Sequence, residues 1–327
     1  MPKLYPEDIL VRQIFQGFSK TSKSGVRVAA GDDAAIWQPR KDQETILTSD
    51  WFLEGTHFLR ELHPAESVGW KCLARAASDI AAMGGTPRCF LLNLALPNTA
   101  TGKWLSGFLG GLRRAASALR CVLAGGDTTR QERILITVTV IGEVAKGRGV
   151  LRCGGRPDDL LFVSGRLGEA ALGLRLLRKG RSKARTASAA LRKHLYPEPR
   201  IALGNWLAQN RLASAMMDVS DGLSTDLARL CEASAVGAVI SEGTLPTAIG
   251  VSPAKALGLA LHGGDDYELL FTVPAHEIPR FRRLWKNQRG VPISCIGSIT
   301  RKKKLLLAKE GAGTEELVPG GWDPFRK

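Results

Sequence analysis

The chain is short of the residues that mark secreted, membrane-spanning and zinc-binding proteins. Its six cysteines, Cys72, Cys89, Cys121, Cys153, Cys231 and Cys295, include no C-x-x-C pair. Reduced, packed thiols are therefore expected, not a disulfide frame or a structural zinc site. No uninterrupted apolar run nears the roughly 20 residues that cross a bilayer. Residues 1–8 are polar and lack the apolar core of a signal peptide, so a cytoplasmic protein with no membrane partner is expected. Histidine is scarce, at five residues, and aromatics make up 6%. Acidic residues are the minority charge, 31 against 46 Lys and Arg, which leaves a net +15 and raises the question of nucleic acid.

Much of that positive excess is local. Residues 175–200 hold nine Lys or Arg and one Glu, and residues 301–304 add four more basic side chains. Neither stretch is interleaved with the aromatic side chains on which bases stack. Both read as solvated basic surface with weak, salt-sensitive attraction to polyanions, and no nucleic-acid partner is expected.

What is present is an ordinary globular composition: 44% apolar residues, mean hydropathy −0.05 and 327 residues, which suits two domains of about 150 residues each. Hydrophobic periodicity predicts strands over 34–37, 45–49, 89–96, 121–124 and 134–144. It predicts helices over 64–83 and along the face made by Trp104, Phe108, Leu112, Ala115 and Leu119. A break of glycine and charge at Lys146-Gly147-Arg148-Gly149 precedes a second run. There, strands are expected at 160–164, 215–218, 237–241 and 267–273, and a closing β-region at 293–308. Helices are expected from Gly168, from Pro199, over 221–233 and near 276–287, with 178–186 an exposed loop or frayed helix. The class is α/β (α+β), in two domains, 1–148 and 149–327.

The chemistry-bearing residues are aspartates in short clusters beside glycine, serine or threonine: Gly31-Asp32-Asp33, Thr48-Ser49-Asp50, Ser78-Asp79, Gly125-Gly126-Asp127-Thr128-Thr129-Arg130, Asp218-Val219-Ser220-Asp221-Gly222 and Gly263-Gly264-Asp265-Asp266-Tyr267-Glu268. Carboxylates gathered in one site repel one another unless a cation holds them. Oxygen-only donors favour Mg²⁺ over zinc or copper. Glycines beside them let phosphate approach backbone N–H groups. Asp79 lies on the apolar stripe of its helix, where a lone charge is costly, so an ion or a salt bridge with Arg75 is expected there. Residues 125–130 follow a strand and combine glycine, carboxylate, hydroxyl and guanidinium, but lack the lysine and spacing of a Walker A loop. Strand alternation puts Asp218 and Ser220 on one side, and Asp221 is placed to cap the helix that follows, whose start would favour an anion.

In this order the clusters resemble the thiamine-monophosphate kinases, in the superfamily typified by aminoimidazole ribonucleotide synthetase. The resemblance runs from Gly31-Asp32-Asp33 to Gly321-Trp322-Asp323-Pro324-Phe325. It implies an N-terminal mixed-sheet domain that pairs in a homodimer and binds ATP and metal, with a C-terminal α/β domain completing the nucleotide and substrate site. It implies several Mg²⁺ ions on Asp33, Thr48, Ser49, Asp50, Asp79, Asp127, Asp218 and Asp221, and ATP at Gly126, Asp127, Arg152 and Ser220. It places His57, Asp265 and Trp322 around thiamine monophosphate, with Asp127, Asp218 and Arg130 as the catalytic group. Asp265 stands where the family has Glu, one methylene shorter, and Pro324 where it has His. Two other readings are carried. One is another ATP-using member of the superfamily, resembling aminoimidazole ribonucleotide or selenophosphate synthetase; for the latter, no reactive Cys precedes a glycine-rich N-terminal segment. The other is a basic nucleic-acid-binding protein, against which the intact Asp clusters speak.

Overall fold

A computed structural model of the chain describes residues 6–18, 24–29, 33–180, 185–286, 288 and 290–326. Two compact units are present: one built from the described residues up to 80 together with 85–147, the other from 81–84 and the chain from 148 onward. Among the described residues no helix is long and apolar enough to cross a membrane.

The first unit contains α1 (Pro6–Phe15), β1 (Val26–Val28), β2 (Ile36–Trp37), β3 (Gln43–Leu53), α2 (Ala65–Ala82), β4 (Thr86–Leu96), α3 (Lys103–Leu119), β5 (Val122–Arg130) and β6 (Leu135–Ala145). Four strands form one sheet in the order β3-β6-β4-β5, and β1 and β2 pair separately. β6 runs antiparallel to β3 and β4, whereas β5 runs parallel to β4, so the sheet is mixed. The helical spacing of Val68, Cys72, Leu73, Ala76 and Ile80 becomes a fully buried stripe on α2. α2 and α3 touch through glycine: a Cβ on Gly69 would lie 1.9 Å from the Phe108 carbonyl oxygen, and one on Gly111 would lie 1.8 Å from that of Glu66. On β3, alternate residues Ile46 and Phe52 are buried while Leu47 and Trp51 remain 69% and 58% exposed. The opposite face is covered only in part, where Val26, Ala35 and Trp37 pack on Cys89, Val122 and Ala124.

The second unit contains β7 (Leu160–Ser164), α4 (Glu169–Arg178), α5 (Arg185–Leu195), α6 (Ile201–Gln209), β8 (Ala215–Val219), α7 (Leu223–Ser234), β9 (Gly237–Ser241), α8 (Pro253–His262), β10 (Glu268–Val273), α9 (Ile278–Trp285), β11 (Ile293–Thr300), β12 (Leu305–Lys309) and β13 (Gly313–Glu316). Its seven strands follow the order β13-β12-β9-β11-β7-β10-β8, with β12–β9 the parallel pair. Apolar clusters cover both faces. Met217, Val219, Leu270 and Val163 pack with Leu223, Leu227 and Leu261. Met216, Leu269, Phe271 and Phe162 pack with Leu203, Leu207 and Phe281. A strand buried on both faces reads as a continuous apolar run, which is the pattern of β10.

Several expectations are corrected. The glycine-rich stretch after residue 124 is no turn: β5 continues through Arg130, hydrogen-bonded alongside β4. β3 runs to Leu53 and not 49. Part of the expected basic loop is helical, since α5 begins at Arg185; residues 181–184 lie outside the described residues, as do Gly31 and Asp32. The helix after Asp221 starts at Leu223, and α1, β1, α8 and β13 had no counterpart in the periodicity.

Candidate functional site

In the first unit, strand alternation divides the Thr48-Ser49-Asp50 cluster. Thr48 and Asp50 share a face with buried Ile46 and Phe52, toward α2. There the Thr48 hydroxyl donates to Asp79 Oδ2 at 2.5 Å, and Arg75 Nε stands 3.2 Å from Asp50 Oδ2. The Arg75 guanidinium also lies over the Phe52 ring, 5.4 Å from its centroid. Ser49 faces the other way, its hydroxyl 2.9 Å from that of Thr139 on β6. His57 follows β3 in a turn, and its Nδ1 accepts the Leu53 N–H at 3.0 Å.

Asp33 and Asp127 line one cavity of about 550 Å³, together with Gly125, Gly126 and Asn93. Gly126 has φ +152°, and a Cβ there would lie 1.8 Å from the Leu92 carbonyl oxygen, so only glycine fits. Asp127 is exposed on β5, and Thr128, Thr129 and Arg130 continue along the strand into a second cavity of about 560 Å³ beneath α1. β3 and β5 are the two edges of the sheet. The registers also place Asp127 on the outer face of the sheet, level with Asn93, Thr137 and Trp51, whereas Thr48 and Asp50 face α2, so the Thr48–Asp79 and Asp33–Asp127 groups lie on opposite faces with two strands between them.

In the second unit, one loop gathers most of the named residues. Asp218, 3% exposed, lies one residue before the end of β8, opposite Leu269 of β10. Ser220 and Asp221 follow, and the Asp265 N–H donates to the Ser220 carbonyl at 2.7 Å. The Trp322 N–H donates to the Asp221 carbonyl at 2.8 Å, leaving its indole 48% exposed. Arg152 lies in an exposed segment whose carbonyl accepts from the Ser234 hydroxyl. Asp218, Ser220, Asp221, Asp265 and Trp322 therefore share one end of this unit.

Sequence reasoning missed what holds that loop. Asp226, fully buried on the first turn of α7, accepts three successive backbone N–H groups, of Ser220, Asp221 and Gly222, at 2.9–3.1 Å on one oxygen. Arg229 Nη1 bridges Asp226 (2.9 Å) and Asp221 (2.6 Å). Burial, then the neighbouring Asp221, pushes the Asp226 carboxyl up to about 6. The expectation that Asp221 caps the helix is thereby corrected: the residue before the helix is Gly222 with no side-chain cap, the Asp221 carboxylate pairs with Arg229, and Asp226 takes the N–H groups of the three loop residues ahead of the helix. The available signal was an aspartate in the first helical turn.

Beneath the loop lies a buried ionic core. Glu268 is fully buried on β10 and accepts from Lys193, from Arg200 (2.6 and 2.5 Å) and from the Ser164 hydroxyl (2.5 Å). Burial pushes its carboxyl up, but the Arg200 hydrogen bonds and the Lys193 charge more than reverse this, leaving it below the usual carboxylate range. Asp266, also fully buried, accepts the Gly168 and Ala170 N–H groups at the start of α4 (2.6 and 3.1 Å), and burial pushes it up to about 7. Among the described residues no three His, Cys, Asp or Glu side chains gather as a metal cluster.

Residues 31–144 match the N-terminal domain of AIR synthase related protein, and residues 156–308 match its C-terminal domain. The chain is 37% identical over 288 residues to the thiamine-monophosphate kinase of Escherichia coli K12, covering 86% of each. The chain belongs to the thiamine-monophosphate kinase family. A crystal structure of the thiamine-monophosphate kinase from Stenotrophomonas maltophilia K279a is 32% identical, with a TM-score of 0.80 over 94% of this chain and 96% of that one. A solved structure of AaThiL complexed with AMPPCP and TMP is 30% identical, with a TM-score of 0.77 over 99% of this chain and all of that one.

Proposed function

We propose that the chain transfers the γ-phosphoryl group of ATP to the phosphate of thiamine monophosphate, giving ADP and thiamine diphosphate. The observation that carries this reading is the end of the second unit, where the backbone N–H groups of Trp322 and Asp265 are both hydrogen-bonded to the Ser220–Asp221 loop, bringing a half-exposed indole and a half-buried carboxylate to the same end. An aromatic face beside a carboxylate suits a cationic heterocycle such as thiazolium. The family relationship supplies the reaction, and a relative of similar fold is known complexed with AMPPCP, an ATP analogue, and TMP.

The acceptor is a phosphate oxygen, already anionic near neutral pH, so no side chain has to remove a proton from it. His57 fits a binding role instead. With Nδ1 accepting the Leu53 N–H, the neutral ring carries its proton on Nε2, a donor suited to a phosphate oxygen. Gly126 offers backbone that phosphate can approach, and Arg130, Arg152 and Ser220 are assigned to the nucleotide, the two arginines countering charge on the transferring group. Asp127 and Asp218 are the catalytic carboxylates of this reading.

The donor set fits magnesium, because it is hard oxygen throughout and Asp33 and Asp127 face one cavity. Asp33, Thr48, Asp50, Asp79 and Asp127 in the first unit, and Asp218 and Asp221 in the second, would hold such ions; Ser49 would serve one on the outer face of the sheet. Mg²⁺, when bound, supplies charge that screens the two anionic phosphoryl groups and aligns them for in-line transfer.

The first unit is further assigned to homodimerisation. Leu47 and Trp51, 69% and 58% exposed on the outer face of β3, are apolar surface that a second copy would cover. A monomeric mass by light scattering would remove this assignment. The substrates, two small soluble phosphate esters, suit the cytoplasm. The test of the reaction is a coupled ADP-release assay with thiamine monophosphate present and absent. ADP should appear only with the acceptor, cease with EDTA and return with Mg²⁺. Acceptor-independent or chelator-insensitive release would overturn the scheme.

A further inference from the structure

The last turn of α5 and the loop ahead of β10 interlock, and the interlock reaches Asp265. Asp265 and Tyr267 both have left-handed backbone, φ 71° and 50°, conformations that residues other than glycine keep only when held. Backbone hydrogen bonds hold them: the Asp265 N–H to the Ser220 carbonyl (2.7 Å) and the Tyr267 N–H to the Val219 carbonyl (2.8 Å). Alternate residues then turn inward. Asp266 caps α4 and Glu268 meets Lys193 and Arg200. The half-buried Asp265 carboxylate meets two side chains. The Tyr267 hydroxyl donates to Oδ1 at 2.8 Å, and His194 Nδ1 stands 3.8 Å from Oδ2. Tyr267 is 3% exposed and His194 1%, so both anchors are buried. His194 follows Lys193 on the helix, and the ion pair at Glu268 therefore also fixes the imidazole.

We propose that Tyr267 and His194 are positioning residues that fix the Asp265 carboxylate for the acceptor substrate, so that the end of α5 takes part in acceptor specificity. The proposal rests on the kinase reading, in which Asp265 meets the thiamine moiety. An aspartate has two side-chain torsions, and a carboxylate left to rotate presents its oxygens correctly only part of the time. The Tyr267 hydrogen bond on one oxygen, with the His194 ring beside the other, reduces that cost before substrate arrives. The effect belongs to the acceptor and not to ATP.

Steady-state kinetics of the full chain with Asp265→Asn, Tyr267→Phe and the double variant test this. Tyr267→Phe keeps the buried ring and deletes one charge-assisted hydrogen bond, so the KM for thiamine monophosphate should rise about tenfold while the KM for ATP stays within about twofold. In the Asp265→Asn background the same change should add nothing. His194→Gln should shift the acceptor KM in the same direction, and if it does not fold, Tyr267→Phe still decides. An acceptor KM unchanged by Asp265→Asn would overturn the placement of substrate at Asp265, and the proposal with it. A raised KM in Asp265→Asn with none in Tyr267→Phe would overturn the positioning role alone. Equal effects of Tyr267→Phe on both KM values would mark a purely structural hydroxyl and overturn it too.

Discussion

Asp127 on β5 and Glu268 on β10 are both carboxylates on sheet strands, yet the two units treat them in opposite ways. Asp127 is exposed at a sheet edge, beside a glycine whose backbone lies open to a cavity. Glu268 is fully buried, with Lys193, Arg200 and Ser164 all donating to it. Asp226 and Asp266 follow Glu268: both are fully buried and accept backbone N–H groups. A carboxylate whose charge is already answered inside the protein is scaffold. One left at the surface beside other oxygen donors keeps its charge for a cation or a substrate. Buried Glu143, paired with Arg40 and Arg88, plays in the first unit the scaffold part that Glu268 plays in the second, so the contrast lies between exposed Asp127 and these buried carboxylates.

That contrast predicts a split between activity and stability. Asp127→Ala removes an exposed side chain, so urea unfolding should change by less than about 0.5 kcal/mol. Turnover should nevertheless fall by about 10³-fold or more, because Asp127 is the carboxylate proposed to hold a phosphoryl-transfer cation. Wild-type kinetics in this variant would remove Asp127 from the site, and a large loss of stability would erase the contrast. Glu268→Gln reverses the pattern. It leaves Lys193 and Arg200 in a buried pocket with no carboxylate between them, a change that costs about 3–5 kcal/mol. A neutral result in urea unfolding would mean that the buried pair is not scaffold.

The sequence carried the fold where burial leaves a period. α2 and α3 have apolar stripes at helical spacing, and β4, β6, β7 and β10 are dense apolar runs between turn residues. It failed where tertiary pairing overrides local preference. Gly125, Gly126 and Asp127 disfavour a strand, but parallel pairing with β4 makes them one. Residues 253–262, from Pro253 to His262, form α8 with too many small and apolar residues for one clear face, and Gly313-Thr314-Glu315-Glu316 has no apolar residue to mark β13. The aspartate clusters were visible as motifs, but the grouping of Asp218, Ser220, Asp221, Asp265 and Trp322 at one end of the second unit depends on the pairing of β8 with β10 and on backbone hydrogen bonds across more than 40 residues. Asp226 and His194 were not visible, and Tyr267 stood in a motif without a role, since each matters through a partner distant in sequence or a loop geometry that no spacing encodes. Strand alternation did hold a signal that the motif concealed: Thr48 and Asp50 face α2, while Ser49, between them, must face away.

The smallest expected effect separates scaffold carboxylates from one another by pH. Asp266 is pushed from its ordinary 3.8 up to about 7 by burial, despite the two N–H groups it accepts. The folded chain therefore keeps a proton on Asp266 that the unfolded chain has already released between about pH 4 and pH 7. More protons bound to the folded state means that this contribution is complete below about pH 4 and is lost as pH rises to 7, on the order of 3–4 kcal/mol across the window. Asp226, raised to about 6, acts with the same sign over a narrower range. Glu268, lowered by Arg200 and Lys193, acts with the opposite sign and only at more acidic pH. Asp266→Asn cannot ionise, so the stability difference between wild type and variant should shift in favour of the variant as pH rises from 4 to 7 and then level off. Urea midpoints for the two proteins at half-unit pH steps read this directly. Parallel curves would mean that Asp266 is already ionised throughout, its charge answered by the start of α4 and by Lys193 as that of Glu268 is answered by Arg200 and Lys193.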